Sequence, residues 1–228
     1  PETFSIVRLN FLPFVLRARP MRLFLSVILS SVLILSACSG GDPVPGLPRL
    51  VVEPDDGRGP ILEAIAGAAN SIRLTIYQIT DLHSVSQSPP APADGVVAAL
   101  IDKARSGVSV RVIVDQNQYG GTGSTASQIR QTVDALRSAG ALVHLSSTAF
   151  CVTHQKTLVI DGPTTADPGR PGTAIIMSLN LTPGYFGGTR DYAVITTDPG
   201  VVQEASRVFD SDFTLVNPPA PCSYAYSP

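Results

Sequence analysis

Short stretches of alternating hydrophobic residues recur along the chain, and segments of helical periodicity separate several of them. In residues 108–114 every second residue is Val, and a period of two is typical of a β-strand. The stretches that predict strands are residues 71–77, 108–114, 141–146, 155–161, 173–179 and 191–197. Strands separated by helices of ordinary length predict an α/β sandwich with a largely buried central sheet.

The helical segments have recognisable boundaries. Pro60 suits the first turn of a helix, where its missing N–H has little cost, and Ile61 and Ile65 follow at helical spacing. Gly107 and Gly140 suit the left-handed position that ends a helix. Helices are expected from residue 60, over residues 95–106, between a loop at 119–127 and Gly140, and over residues 199–213. A loop rich in Pro and Ser occupies residues 83–94.

Size and charge restrict the class of partner. A chain of 228 residues has room for one ordinary domain with a sizeable core. The formal net charge is -2, with only 16 Lys and Arg residues. Binding to duplex nucleic acid draws on many cationic contacts with phosphates, so nucleic acid is the less favoured partner. Any phosphate-binding site must be a local feature.

The N-terminal region has the order of an export signal. Met21 is the first methionine, Arg22 supplies positive charge, residues 23–35 are apolar, and small residues precede Cys38. This apolar run is short for a permanent membrane helix. Residues 35–38, LSAC, resemble the bacterial lipobox. The resemblance implies a lipid on Cys38, a membrane anchor and a place in the bacterial cell envelope. An uncleaved anchor helix is the alternative.

These features divide the chain into five parts. Residues 1–20 are interpreted as an upstream extension that is not native, residues 21–37 as a lipoprotein signal peptide, and residues 38–49 as a flexible tether. The domain occupies residues 50–215, and residues 216–228 form a C-terminal tail. With Cys38 assigned to lipid, Cys151 and Cys222 remain as an even pair. In an oxidising compartment they are expected to form a disulfide, with two free thiols as the alternative.

The stretch THQKTLVID, residues 153–161, holds the most informative polar residues. His154 and Lys156 are two positions apart, so on a strand both side chains would lie on one face. A buried Lys without a counter-charge is costly, and a bound phosphate diester would supply that charge. Asp161 stands at the end of the expected strand.

This spacing resembles His-x-Lys-x-x-x-x-Asp, the signature of the phospholipase D superfamily. The likeness extends to residues 177–180, MSLN, where the family has Gly-Ser-x-Asn, and to residues 189–196, TRDYAVIT. It covers roughly residues 51–213. The resemblance implies a mixed central sheet flanked by helices, in an α/β/α sandwich.

The resemblance also implies a role for each residue. His154 attacks phosphorus and forms a phosphohistidine, and Lys156 and Asn180 bind the non-bridging oxygens. Ser178, expected on the same strand face as Asn180, orients the same group, and Asp161 organises the site without touching phosphate. No cofactor and no metal are implied. The acidic residues at positions 53, 55 and 56 are interpreted as a solvated loop.

Two positions depart from the family pattern. Met177 stands where Gly is usual, and Asp191 stands where Glu is more common. The first limits how closely the backbone can approach a phosphate. The second leaves a carboxylate that is one methylene shorter, and Asp191 is kept as a candidate site residue.

The family mechanism needs two histidines, and this chain has one His-Lys motif. His83 and His144 have no neighbouring Lys and are interpreted as ordinary surface or strand histidines. A homodimer could bring two copies of His154 together, a second half could be missing, or the site could be degenerate. The expected function is hydrolysis or transfer of the phosphatidyl group of phospholipids. The alternatives are a metal-independent dimeric endonuclease and an inactive lipid- or phosphate-binding envelope protein.

Overall fold

The computed structural model describes residues 47–80 and 95–215. The expected signal peptide, the lipidation site Cys38, the loop 83–94 with His83, the tail and Cys222 lie outside these residues. Within the described ranges, no helix is both long and apolar enough to cross a membrane.

The described residues form a seven-stranded mixed sheet. Its strands are β1 (Arg49–Glu53), β2 (Ser71–Ile76), β3 (Ser109–Val114), β4 (Leu142–Leu145), β5 (Lys156–Ile160), β6 (Thr173–Met177) and β7 (Asp191–Thr196). Their order across the sheet is β1-β7-β6-β5-β2-β3-β4. Strands β2, β3 and β4 are parallel to one another, and every other pairing is antiparallel.

Helices cover both faces of this sheet. They are α1 (Gly59–Ala66), α2 (Val96–Arg105), α3 (Gln116–Gly120), α4 (Ser124–Ser138) and α5 (Pro199–Thr214), with a 3-10 turn at Pro183–Phe186. The main core joins α1, α2 and α4 to one face of the sheet, through residues such as Ile65, Leu100 and Leu136. Helix α5 packs on the opposite face, mainly against β2, β5 and β6.

The expected α/β class and mixed sheet are confirmed, and all six expected strands are present. Gly107 adopts a positive φ of 93° at the second residue after the end of α2, as expected for the glycine that ends this helix. Two elements were missed. Strand β1 was assigned partly to the tether, and α3 with the start of α4 replaces much of the loop expected at 119–127. Both missed elements are five residues long, too short to show a clear period.

A shared carboxylate anchors α5 to the sheet. Arg73 on β2 is 1% exposed, and its Nε lies 3.4 Å from Asp210 Oδ1. Arg111 on β3 lies 3.0 Å from the same oxygen. Arg73 also donates to the backbone oxygen of Pro163 at 2.8 Å. Because a buried guanidinium needs a counter-charge, Asp210 ties the helix to two neighbouring strands.

Replacing Asp210 with Asn should therefore destabilise the fold. The Asp210→Asn variant leaves Arg73 buried without its counter-charge, and we expect a loss of about 2 kcal/mol in the free energy of unfolding. Urea denaturation measures it. Glu204→Gln, which breaks an exposed ion pair with Arg207 on the same helix, is the control and should change stability little. Equal stability of the two variants would contradict this role for Asp210.

Candidate active site

Polar side chains collect at one end of the sheet because of the strand register. Ile76, the last residue of β2, pairs with Lys156, the first residue of β5, and also with Val114 at the end of β3. The residues that directly follow β2 and β3 are Tyr77 and Asp115. The end of β6 and the start of β7 reach the same edge. Side chains from separate parts of the chain are thus brought to one place.

His154 and Lys156 are in direct contact at this edge. Lys156 Nζ lies 3.2 Å from both ring nitrogens of His154 and donates to the His154 backbone oxygen at 3.0 Å. The expectation that both lie on a strand was wrong for His154, because β5 begins at Lys156. His154 lies in the preceding loop and is exposed. The two side chains meet because Lys156 folds back on the chain before it.

Lys156 is a buried cation at the centre of the site. Its side chain is on the core face of β5, and the residue is 5% exposed. No ion pair joins it to a carboxylate within the described ranges. Burial lowers the pKa of the Lys156 ammonium, and the negative charge of Asp191 offsets part of that decrease. The ammonium is therefore available to an incoming anion.

The His154 ring contacts both a cation and an aromatic ring. Its centroid is 4.6 Å from that of Tyr77, with the planes tilted by 57°. Desolvation of the imidazole and the adjacent Lys156 charge lower the pKa of His154, while Asp115 acts in the opposite direction. A lowered pKa keeps the ring neutral at neutral pH, which is the form that can attack phosphorus.

Tyr77 belongs to a polar network that the sequence did not indicate. Gln118 on α3 donates from Nε2 to the Tyr77 hydroxyl at 2.6 Å. Gln78 donates from Nε2 to Gln118 Oε1 at 2.7 Å. The Tyr77 ring also lies 5.3 Å from Lys156 Nζ. One signal in the sequence could have indicated this network: Tyr77 is an aromatic residue at the end of a strand, directly before polar residues.

Asn180 lies at the site, but not on a strand. Strand β6 ends at Met177. An isolated β-bridge between Ile79 and Leu181 then places this part of the chain beside Gln78. Asn180 is 3% exposed and accepts from the Gln78 N–H at 3.2 Å. Its Nδ2 donates to the Tyr185 hydroxyl at 3.0 Å. The amide is thus oriented by two partners.

Ser178 and Asn180 do not share a face as expected. Ser178 is exposed, whereas Asn180 is buried, because the chain leaves the regular strand between them. The Ser178 hydroxyl donates to Asp191 Oδ1 at 2.7 Å and accepts from the Tyr192 N–H at 3.0 Å. The structure therefore gives Ser178 the role of orienting Asp191.

Asp161 lies at the other end of the sheet. Strand β5 advances about 3.3 Å per residue, so the backbone of Asp161 is roughly 16 Å from that of Lys156. Its carboxylate accepts three backbone N–H bonds, from Ala69 at 2.8 Å, Asn70 at 2.7 Å and Ser71 at 2.8 Å. The expectation that Asp161 organises the site is not supported by this position. It fixes the turn that begins β2.

Glu53 corrects the interpretation of the acidic residues at positions 53–56 as a solvated loop. Glu53 ends β1, is fully buried and pairs in register with Asp191. Burial is the main factor that raises the pKa of Glu53, and the carboxylates of Asp56 and Asp191 raise it further. Asp55 instead pairs with Arg190 at 2.7 Å on the surface. The sequence analysis did not predict the short edge strand β1, and it therefore missed the burial of this carboxylate.

The other histidine and cysteine predictions have mixed outcomes. His144 stacks on Phe213 at 4.0 Å and lies 3.0 Å from the Phe213 backbone oxygen, as an ordinary strand histidine would. Cys151 is disulfide-bonded; its partner lies outside the described residues, so the pairing with Cys222 stays a prediction. Among the described residues, no group of three or more His, Cys, Asp or Glu side chains could hold a metal.

A mixed sheet with a His-Lys pair at the end of its central strands is typical of the phosphodiesterase fold of the phospholipase D superfamily. A family model described as "Cardiolipin synthase, PLD-like domain" matches residues 61–213. The chain therefore belongs to this phospholipase D-like family, as its motif indicated. No curated protein sequence matches the chain.

Solved structures share the fold at low sequence identity. Nuc from Salmonella typhimurium, titled a phospholipase D family member, is 22% identical with a TM-score of 0.56, over 74% of this chain and 96% of Nuc. NucT from Helicobacter pylori is 18% identical with a TM-score of 0.56, over 73% of this chain and 94% of NucT. Polyphosphate kinase from Porphyromonas gingivalis is 20% identical with a TM-score of 0.57, over 84% of this chain but 30% of the kinase.

The position of Asp161 predicts a loss of stability rather than of catalysis. Burial raises the pKa of Asp161, but the three N–H bonds outweigh it and lower the pKa below its ordinary 3.8. Asp161→Asn should cost about 2 kcal/mol near neutral pH, because it weakens these bonds. The cost should shrink in acid, because the wild type loses this stabilisation as the pH falls from the ordinary pKa through the lowered pKa of the folded carboxylate.

Urea denaturation at pH 7 and at pH 3 measures this difference. The folded variant should keep the wild-type turnover number, because the substitution lies far from His154. A large loss of turnover in a fully folded Asp161→Asn protein would show that the carboxylate acts on the site after all.

Proposed function

We propose that this protein is a phospholipase D-type phosphodiesterase that hydrolyses or transfers the phosphatidyl group of phospholipids through a phosphohistidine at His154. One observation carries the proposal. The buried Lys156 ammonium, which has no carboxylate in ion-pair contact among the described residues, lies 3.2 Å from both ring nitrogens of the exposed His154 imidazole. The pair offers a nucleophile and a binding charge for the same phosphodiester, and Asn180 adds an amide N–H donor.

The reaction would proceed in two displacements. A neutral ring nitrogen of His154 attacks phosphorus, a P–N bond forms, and the bond from phosphorus to the headgroup oxygen breaks. A protonated imidazole gives the leaving oxygen its proton. Water or an alcohol then attacks phosphorus and gives its proton to that second imidazole, while the P–N bond breaks and His154 is released. Lys156 stabilises the negative charge that develops on the non-bridging oxygens.

A phospholipid is the favoured substrate for two reasons. The net charge of -2 provides no general attraction to the phosphates of nucleic acid. The matching family is named after cardiolipin synthase, whose product is a phospholipid. A lipid anchor at Cys38 would keep the site beside a membrane of the bacterial envelope. A metal-independent endonuclease is the second candidate, favoured by the same His-Lys pair, which can act on any phosphodiester.

We propose further that the second imidazole is His154 of another copy of the chain. Within the described ranges the only other histidine is His144, which is held against Phe213. The outer face of β1, β6 and β7 supports a second copy, because Leu50, Ile176 and Tyr192 are between 47% and 57% exposed there. A groove of about 550 Å³ between α5 and this face is lined in part by Gln155, the neighbour of His154. A second half that carries its own motif is the alternative source.

A substrate comparison tests the proposed activity. The purified protein, in EDTA, is incubated separately with phosphatidylcholine vesicles and with supercoiled plasmid. We expect release of choline and no nicking, and we expect His154→Asn to lower the rate by at least about 1,000-fold, because it removes the nucleophile.

The matched control is His144→Asn, which should keep turnover. Nicking without choline release would favour the endonuclease, and inactivity toward both substrates would favour a phosphate- or lipid-binding protein. Undiminished choline release by His154→Asn would rule out the proposed nucleophile.

Mixed oligomers test the need for two histidines. Wild-type and His154→Asn chains are co-expressed at known ratios, and activity is measured per total protein. If one site uses both copies of His154, activity falls with the square of the wild-type fraction, to about one quarter in an equal mixture. A linear decrease would show that each chain acts alone.

A further inference from the structure

The loop that carries the nucleophile is attached to the segment that follows β3. This loop, residues 146–155, joins β4 to β5. Asn117 on α3 donates from Nδ2 to the Cys151 backbone oxygen at 2.7 Å, and the Thr153 N–H donates to Asp115 Oδ2 at 2.7 Å. Gln116 adds a bond from its N–H to the Ser146 hydroxyl at 3.1 Å. The loop is thus held at both ends and in the middle.

Asp115 is the centre of these contacts. It is the first residue after β3 and is completely buried. Besides Thr153, its carboxylate accepts from the N–H groups of Asn117 at 3.0 Å and Gln118 at 3.1 Å, at the start of α3. A buried carboxylate is tolerated when N–H donors satisfy it. One side chain therefore fixes both α3 and the residue that precedes His154.

The segment that follows β3 also contacts Tyr77, the aromatic residue beside the His154 ring. Gln118, whose N–H is held by Asp115, donates to the Tyr77 hydroxyl at 2.6 Å. The Tyr77 ring in turn lies against the His154 ring. The backbone before His154 and the aromatic surface beside it thus depend on Asp115 and α3.

We propose that Asp115 and Asn117 are positioning residues that hold His154 against Lys156 in the geometry for attack on phosphorus. This inference rests on the proposed function, because it concerns the nucleophile of that reaction. Neither residue needs to touch the substrate. Displacement of a reacting group by about 1 Å can lower a rate by roughly 100-fold, so the effect should appear in turnover rather than in binding.

Asp115 has a second, electrostatic effect on His154. The groups around the imidazole are the Lys156 ammonium from β5, the Asp115 carboxylate from the end of β3 and the Tyr77 phenol from the end of β2. Desolvation and the Lys156 charge lower the pKa of His154, and the Asp115 charge raises it. Removal of the Asp115 charge should therefore shift the His154 titration to lower pH.

The first test compares two helix-capping aspartates. Asp115→Asn removes the charge at the site, and Asp198→Asn makes the same change at the start of α5, where Asp198 Oδ1 accepts from the Val201 N–H at 2.9 Å and where Asn can still cap the helix. The probe is bis(p-nitrophenyl) phosphate. For Asp115→Asn we expect kcat to fall about 10- to 100-fold with KM nearly unchanged, and the acidic limb of the pH profile to move to lower pH. Asp198→Asn should keep the wild-type kcat and pH profile.

A second variant covers the case in which Asp115→Asn does not fold. Asn117→Ala keeps the Asp115 carboxylate but removes the bond to the Cys151 backbone oxygen, and it should lower kcat several-fold at constant KM. Wild-type kcat in this variant, or wild-type kcat and pH profile in a folded Asp115→Asn protein, would overturn the proposed positioning role.

An NMR titration separates this inference from the proposed function. The imidazole resonance of His154, assigned by its loss in His154→Asn, is followed against pH in the wild type, Asp115→Asn and Asp198→Asn. We expect a lower midpoint in Asp115→Asn alone. If the wild type does not cleave any diester, the proposed function fails, and this titration still tests the contact. Identical midpoints in all three proteins would overturn it.

Discussion

The burial of the Lys156 ammonium is the constraint on which the site depends. A cation on the core face of a strand has a large desolvation cost unless a carboxylate or a bound anion offsets it. The described part of the chain supplies no carboxylate in ion-pair contact, and the ammonium instead meets the His154 ring and backbone. The site is therefore electrostatically incomplete without an anion. A bound phosphodiester would supply that anion and would lie beside His154, the proposed nucleophile.

The topology explains how one small domain assembles this site. Antiparallel β5 lies beside β2, so the start of one strand meets the end of the other, and parallel β3 brings Asp115 to the same edge. The proposed nucleophile, His154, lies in the loop that enters β5 and not in the strand itself. A loop residue has no β-sheet hydrogen bonds to hold it in place. The hydrogen bonds of Asp115 and Asn117 to this loop hold His154 instead.

Much of the fold could be predicted from the sequence, because long alternating runs such as residues 108–114 have a clear period. The contact between His154 and Lys156 was also expected, although the reason given for it, a shared strand face, was wrong for His154. The role of Asp161 was not, since its place at the end of the strand does not show that its carboxylate binds the turn before β2. Asp115 and Tyr77 were missed for a related reason. They reach the site only through strand register, which single-sequence patterns do not specify.

The most direct test is to trap the covalent intermediate. The protein is mixed with a short-chain phosphatidylcholine in EDTA, quenched with denaturant within the first turnover, digested and analysed by mass spectrometry. The account predicts a phosphatidyl group on the peptide that contains His154, bound to a ring nitrogen and lost in acid. Turnover without any adduct on His154, or with the adduct on another residue, would contradict it.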